Sequence, residues 1–199
     1  MHPSALDVIR DEHQALAAML RSLTMLLAQA RREQRVPDFE VLRAMLLYVD
    51  EFPERLHHAK ESALLFPKLR ARAPELAPVL ERLDRDHAEG ERSIRALEHA
   101  LLAFEVLGEP RRAAFEQAAE RYVQFYLQHM AVEEAEVLPA ARRVFGPADW
   151  AELDAAFAAN RDPLAGHAPA AAVDAEYRRL FRLIVNTAPA PIGLGEPRR

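Results

Sequence analysis

The sequence predicts an all-α protein, an antiparallel up-down four-helix bundle with additional C-terminal helices. Three observations lead there. Apolar residues recur at three- and four-residue intervals through four long stretches separated by short breaker segments. Ala, Leu, Arg and Glu dominate while Gly is held to 6 of 199 residues, and these side chains lose little rotamer freedom in a helix. One motif is also written twice. "HHAKESALLFP" (57–67) and "HMAVEEAEVLP" (129–139) share a His, a Glu at +4, large apolar residues at +8 and +9, and a Pro at +10.

The first helix is expected to start near Ser4, an N-cap with Asp7 three residues on in capping-box position. Leu6, Ile9, His13, Leu16, Leu20, Leu23 and Leu27 share one of its faces, and "REQRVPD" ends it. The second runs from about Asp38 to Arg70 through Val41, Leu42, Met45, Tyr48 and Phe52. Pro53 lies inside it, removing a backbone donor, so a kink or bulge is expected there that sets the approach of His57. The third opens near Pro74 and stops at Gly108; the fourth opens at Pro110 and stops near Phe145, before Gly146. Residues 1–145 are thus assigned to the bundle and 146–187 to a helical extension, "PADWAELDAAFAAN" and "AAVDAEYRRLFRLIVNTAP" joined by "RDPLAGHAP". Residues 188–199 are expected to be an extended or disordered tail. Leu180, Phe181, Leu183, Ile184 and Val185 give the extension an apolar face, suited to intrachain docking, a homo-oligomer or a protein partner.

Half the chain is hydrophobic, enough for a sizeable core. The absence of Cys excludes disulfides, thiolate metal sites and cysteine nucleophiles, so any metal must sit on His, Asp or Glu. Net charge is −5 and the basic residues are interspersed with acids, which argues against nucleic acid as a partner. The N-terminus has no apolar h-region, and no apolar run approaches the roughly 18 residues of a membrane span. A cytoplasmic protein without a membrane partner is expected.

The doubling reaches beyond the motif. His13 precedes His57 by 44 residues and His87 precedes His129 by 42, so the chain reads as two helical hairpins, each with a His on its first helix and His-x3-Glu on its second. Residues four apart share a helix face, so His57 with Glu61, and His129 with Glu133, can grip one object. Apolar face-mates turn His13, His87 and His129 toward the core. A lone core imidazole is ordinarily a hydrogen-bonded core residue. Four imidazoles with two carboxylates at one level would leave six polar groups uncompensated, and that points to metal. Nitrogen and carboxylate donors suit iron or manganese, and less distinctively zinc, copper or nickel.

The set His13, His57 and Glu61, His87, His129 and Glu133 resembles the hemerythrin-like family, the HHE cation-binding domain, over roughly residues 1–145. The resemblance implies two iron ions, oxo- or hydroxo-bridged, inside the bundle. It implies a small diatomic or peroxide ligand: oxygen binding, oxygen or nitric-oxide sensing, iron sensing, or catalase-like peroxide decomposition. Each hairpin would supply one ion's histidines, with Glu61 and Glu133 bridging. The chain departs from the oxygen carriers, which have His-x3-His on the third helix and His-x4-Asp on the fourth; here His87 is followed by Glu91 and the fourth helix offers His-x3-Glu. Counted over two octahedral ions, this leaves two open positions against one in a five-histidine carrier, which favours peroxide or nitric-oxide chemistry over reversible oxygen carriage. Glu91 is a candidate additional ligand or proton relay, or else a surface residue paired with Arg. A non-catalytic sensor or metal-binding module signalling through the C-terminal helices is the alternative, and a structural metal such as zinc a third.

His58, about 100° round an α-helix from His57, is expected beside the ligands or partly exposed. His2, His99 and His167 are expected in solvent, Glu134 and Glu136 toward solvent or arginines, and Tyr48, Tyr122 and Tyr126 in the core, with one of them able to donate a proton near the metals.

Overall fold

The computed structural model describes residues 4–160, 162, 164, 165 and 174–194, which form helices and connecting turns with no strand among them. Helix α1 spans Ala5–Arg32. Ser4 caps it: its Oγ accepts from the Asp7 N–H at 3.3 Å while Asp7 Oδ2 accepts from the Ser4 N–H at 3.2 Å, the reciprocal box that its sequence suggested. Gln34, at φ 51°, turns the chain after it. Helix α2 spans Phe39–Val49, capped by Asp38. It continues through two π-helical segments, Asp50–His58 and Glu61–Leu65, into α3, Phe66–Arg72. Helix α4, Ala77–Leu107, ends at Gly108, whose φ of 76° suits a residue without Cβ. Helix α5, Arg112–Val132, passes through a third π segment, Glu133–Val137, into α6, Leu138–Val144. Helices α7 (Pro147–Phe157) and α8 (Asp174–Thr187) follow.

Two apolar clusters make the core, and a polar layer lies between them. One holds Leu16, Leu20, Phe52, Ile94, Leu97 and Tyr126; the other holds Ile9, Leu65, Phe66, Leu83, Val137 and Leu138. Each long helix crosses the layer. The order along the chain is Ile9–His13–Leu16, then Phe52–His57–Leu65, then Leu83–His87–Ile94, then Tyr126–His129–Val137. Successive helices therefore traverse the layer in alternating sense. For His13, His87 and His129 the sequence periodicity is the cause: each sits on the apolar stripe of its helix.

The extension docks on this body. Helix α7 lies on α1, where Asp154 Oδ1 accepts the Ala5 N–H at 2.6 Å. Helix α8 lies on α2 and buries Leu180 and Ile184. Residues 188–194, part of the stretch expected to be extended or disordered, carry no helix; the Leu194 N–H returns to the Val185 carbonyl at 2.6 Å and the Ile192 N–H reaches Ser22 Oγ at 3.0 Å. Pro-rich sequence suppresses helix but still leaves donors that a nearby helix can accept. No helix among the described residues is long and apolar enough to cross a membrane.

Candidate metal centre

The repeated proline has a local consequence that appears twice. Pro67 and Pro139 have no N–H, and a proline ring crowds the carbonyl four residues back. In each copy the preceding turn opens to π geometry. The Phe66 N–H bonds the Glu61 carbonyl and the Leu138 N–H bonds the Glu133 carbonyl, five residues apart in both cases. Pro53 lies inside the remaining wide stretch, Asp50–His58, as the expected bulge. A wide turn rotates each residue less than an α turn does, so two neighbours can face the same side. His57 and His58 are both 3% exposed. The α-helical angle placed His58 off to the side; the π segment brings it in.

The six predicted residues converge in the polar layer. His13 Nε2 and His57 Nε2 lie 3.2 Å apart, and His87 Nε2 and His129 Nε2 lie 3.0 Å apart. Two nitrogens sharing one ion at about 2.1 Å and a right angle would stand about 3 Å apart. Glu61 places Oε1 3.2 Å from His57 Nε2 and Oε2 3.5 Å from His87 Nε2. Glu133 places Oε2 3.3 Å from His13 Nε2 and Oε1 3.3 Å from His129 Nε2. Each carboxylate therefore offers one oxygen to each histidine pair. Both glutamates are fully buried, and none of their four oxygens has a hydrogen-bond partner among the described residues. Burial of such charge costs several kcal/mol unless something compensates it, and a pair of cations fits the donor set.

Behind each imidazole stands a second polar group. His57 Nδ1 meets Glu12 Oε2 at 2.7 Å, His13 Nδ1 meets Glu134 Oε1 at 3.2 Å, and His87 Nδ1 meets Ser62 Oγ at 2.9 Å. Ser62 in turn donates to Asp84 Oδ1 at 2.7 Å. His129 Nδ1 lies 3.5 Å from Asp86 Oδ2, an ion-pair contact too long to be a good hydrogen bond. Nδ1 outward on an acceptor and Nε2 inward is the arrangement that orients ligating histidines. The sequence did not show these partners, and it placed Glu134 toward solvent or arginines. It is half exposed, yet it holds His13. The extension also reaches this ring of partners: Asn160 donates to Glu12 Oε2 at 2.9 Å and accepts from Lys60.

Electrostatics follow the packing. Burial pulls His13 down, but Glu133 and Glu134 outweigh it and hold its pKa up at about 9. His57 likewise rises well above its ordinary value because Glu61 and Glu12 overcome desolvation. Desolvation pushes Glu133 up, and the neighbouring histidines, His129 first, drive it well below the usual carboxylate range. His58 falls well below an ordinary imidazole through burial and the histidines around it.

Glu91 does not join the cluster, which corrects its candidacy as an additional ligand. It is exposed and pairs with Arg95 at 2.5 Å. The buried strip of α4 runs through Leu80, Leu83, His87, Gly90 and Ile94, so position 91 falls over its edge. Gly90 takes the inward place, and a Cβ there would stand 1.6 Å from the Tyr126 hydroxyl. Tyr122 and Tyr126 donate to Glu54 Oε1 at 2.7 and 2.6 Å, and Tyr48 donates to Asp162 at 2.5 Å. His99 is exposed; His2 and His167 lie outside the described residues.

Comparison with known proteins agrees with this geometry. The model of the hemerythrin HHE cation binding domain matches residues 4–141. No curated protein and no solved structure matches the chain.

Proposed function

The chain belongs to the hemerythrin HHE cation-binding family, and from that premise we propose that it is a non-haem di-iron protein that binds or reacts with a small oxygen species: oxygen, peroxide or nitric oxide. The body is read as an antiparallel up-down four-helix bundle over residues 1–145, an arrangement supported by the alternating order in which the helices cross the polar layer. One observation carries the reading: buried Glu61 and Glu133, each with one oxygen beside each histidine pair.

His13 and His57 would hold one iron, His87 and His129 the other, with Glu61 and Glu133 shared. Bound there, two irons would supply electrons to, or accept them from, a small oxygen ligand. The chain's own residues do the rest. Glu12, Glu134 and Ser62 keep Nδ1 protonated and Nε2 free to ligate. Phe66, fully buried, stacks on the His87 ring at 5.5 Å, and Phe157 packs edge-on to His57 at 5.9 Å, which keeps bulk water from these faces.

A sensor is the second reading, favoured by one contact. Asn160, beyond α7, bonds the carboxylate that orients His57, so a change at the metals can reach the extension through Glu12. Protein expressed in iron-replete medium should carry about two irons per chain, since six inward ligands exceed one closed tetrahedral site, and show near-ultraviolet charge-transfer bands. Rapid peroxide consumption favours the reactive form; metal-dependent association without turnover favours the sensor. Stoichiometric zinc without those bands would overturn the di-iron reading.

A further inference from the structure

His58 is as buried as the histidines around it, and the six-residue set gives it no part. Its surroundings repeat theirs. Nδ1 faces Glu54 Oε2 at 3.2 Å, so a carboxylate stands behind this imidazole too. Glu54 is itself held by the Tyr122 and Tyr126 hydroxyls on Oε1, and the missing side chain of Gly90 leaves room for the Tyr126 hydroxyl. The His58 ring stacks on Tyr126 at 5.2 Å and 1°, and its centroid lies 4.4 Å from that of His87 and 5.6 Å from that of His129. His58, Glu61, His87 and His129 can each offer one ligand atom with all four atoms within 4.8 Å of one another; His13, His57 and Glu61 form a second such group. The two groups share Glu61 and divide the histidines unequally.

We propose that His58 is a fifth histidine ligand, on the ion held by His87 and His129, with Glu54 as its orienting carboxylate. The inference rests on the dinuclear reading above and sharpens it. The two ions become unlike, with three imidazoles on one and two on the other. Counting the shared carboxylates and a solvent-derived bridge, the three-histidine ion is full. One exchangeable position remains, on the ion held by His13 and His57. The fifth histidine that oxygen carriers draw from the third helix comes here from a π segment of the second.

The test replaces iron by cobalt(II) and counts solvent-exchangeable, hyperfine-shifted imidazole N–H resonances. The wild type should bind two cobalt ions and show one such resonance for each of His13, His57, His58, His87 and His129. His58→Ala should keep both ions and lose one resonance, and free imidazole should restore a shifted signal, which a packing role would not allow. In the iron form, azide should bind once per centre in the wild type and twice in the variant. Two cobalt ions with only four resonances in the wild type would overturn the inference alone. Uptake of a single ion would overturn the dinuclear reading and the inference with it. If His58→Ala does not fold, the wild-type count decides.

Discussion

Glu12 accepts a 2.7 Å hydrogen bond from His57 Nδ1 across a separation of 45 residues. A carboxylate in that place fixes the tautomer of a ligating imidazole and raises its basicity. Glu12→Gln keeps the shape and removes the charge. Metal affinity should fall about 10–100-fold with helix content unchanged, read by titration against a competing chelator. Wild-type affinity in the variant would make the contact purely structural.

Glu61 and Glu133 each face both histidine pairs, so loss of either should empty both positions together. Glu61→Ala and Glu133→Ala are each expected to lower total metal content to well under half of wild type by elemental analysis. One ion kept at full occupancy in both variants would contradict shared carboxylates.

Gly90 is in mid-helix, where Ala is ordinarily better by about 1 kcal/mol. Here Gly90→Ala should destabilise, by about 1–3 kcal/mol, because the new methyl meets the Tyr126 hydroxyl. Urea midpoints should show the loss, and Tyr126→Phe in the same chain should return part of it. A stabilised single variant would refute the close approach.

Asp162 is buried and accepts from the Tyr48 hydroxyl. Burial lifts its carboxyl from 3.8 to about 6. The folded chain then keeps a proton that the unfolded chain has lost, so this group's contribution to stability is full below pH 3.8 and is lost as pH rises through about 6. The displacement corresponds to about 3 kcal/mol. Asp162→Asn should therefore gain on wild type between about pH 4 and pH 7, as denaturation at the two pH values would show. A difference independent of pH would remove Asp162 as the cause.

Glu91→Ala should leave metal content, optical spectrum and azide kinetics at wild-type values, since only an exposed pair with Arg95 is lost, worth about 0–1 kcal/mol. A changed spectrum would place Glu91 at the metals after all.

The parts of this molecule that follow helical periodicity could be read in advance. The Ser4 capping box and the pairings of His57 with Glu61 and His129 with Glu133 follow from three- and four-residue spacing, the inward turn of His13, His87 and His129 from their apolar face-mates, and the stop at Gly108 from a residue without Cβ. The misses occur where that spacing fails or where no periodicity applies. His58 lies beside the ligands, one of the two places expected of it, and its full burial rather than partial exposure goes with the π geometry around Pro53. Glu91 satisfies the i+4 rule but falls outside a strip that α4 continues through Gly90. Glu12, Asp84, Asp86 and Glu134 approach from neighbouring helices, and one chain's sequence does not say which acid ends behind which imidazole. Asn160 lies beyond the bundle altogether, in a stretch whose composition says only that the helix ends.

The wide turns after Glu61 and Glu133 each hold one residue more than an α turn would. That residue acts as slack. It lets the upstream half of each helix keep its His and Glu aimed inward while the downstream half, from Phe66 or Leu138, turns independently to meet its own apolar cluster. Deleting one residue at the exposed position 63 or 135 would remove the slack and press the ring of Pro67 or Pro139 toward the carbonyl four residues back in a narrower turn. The helix could still form, but Phe66 or Leu138 would be geared rigidly to the ligands, so the metal layer and the apolar end could no longer be adjusted separately.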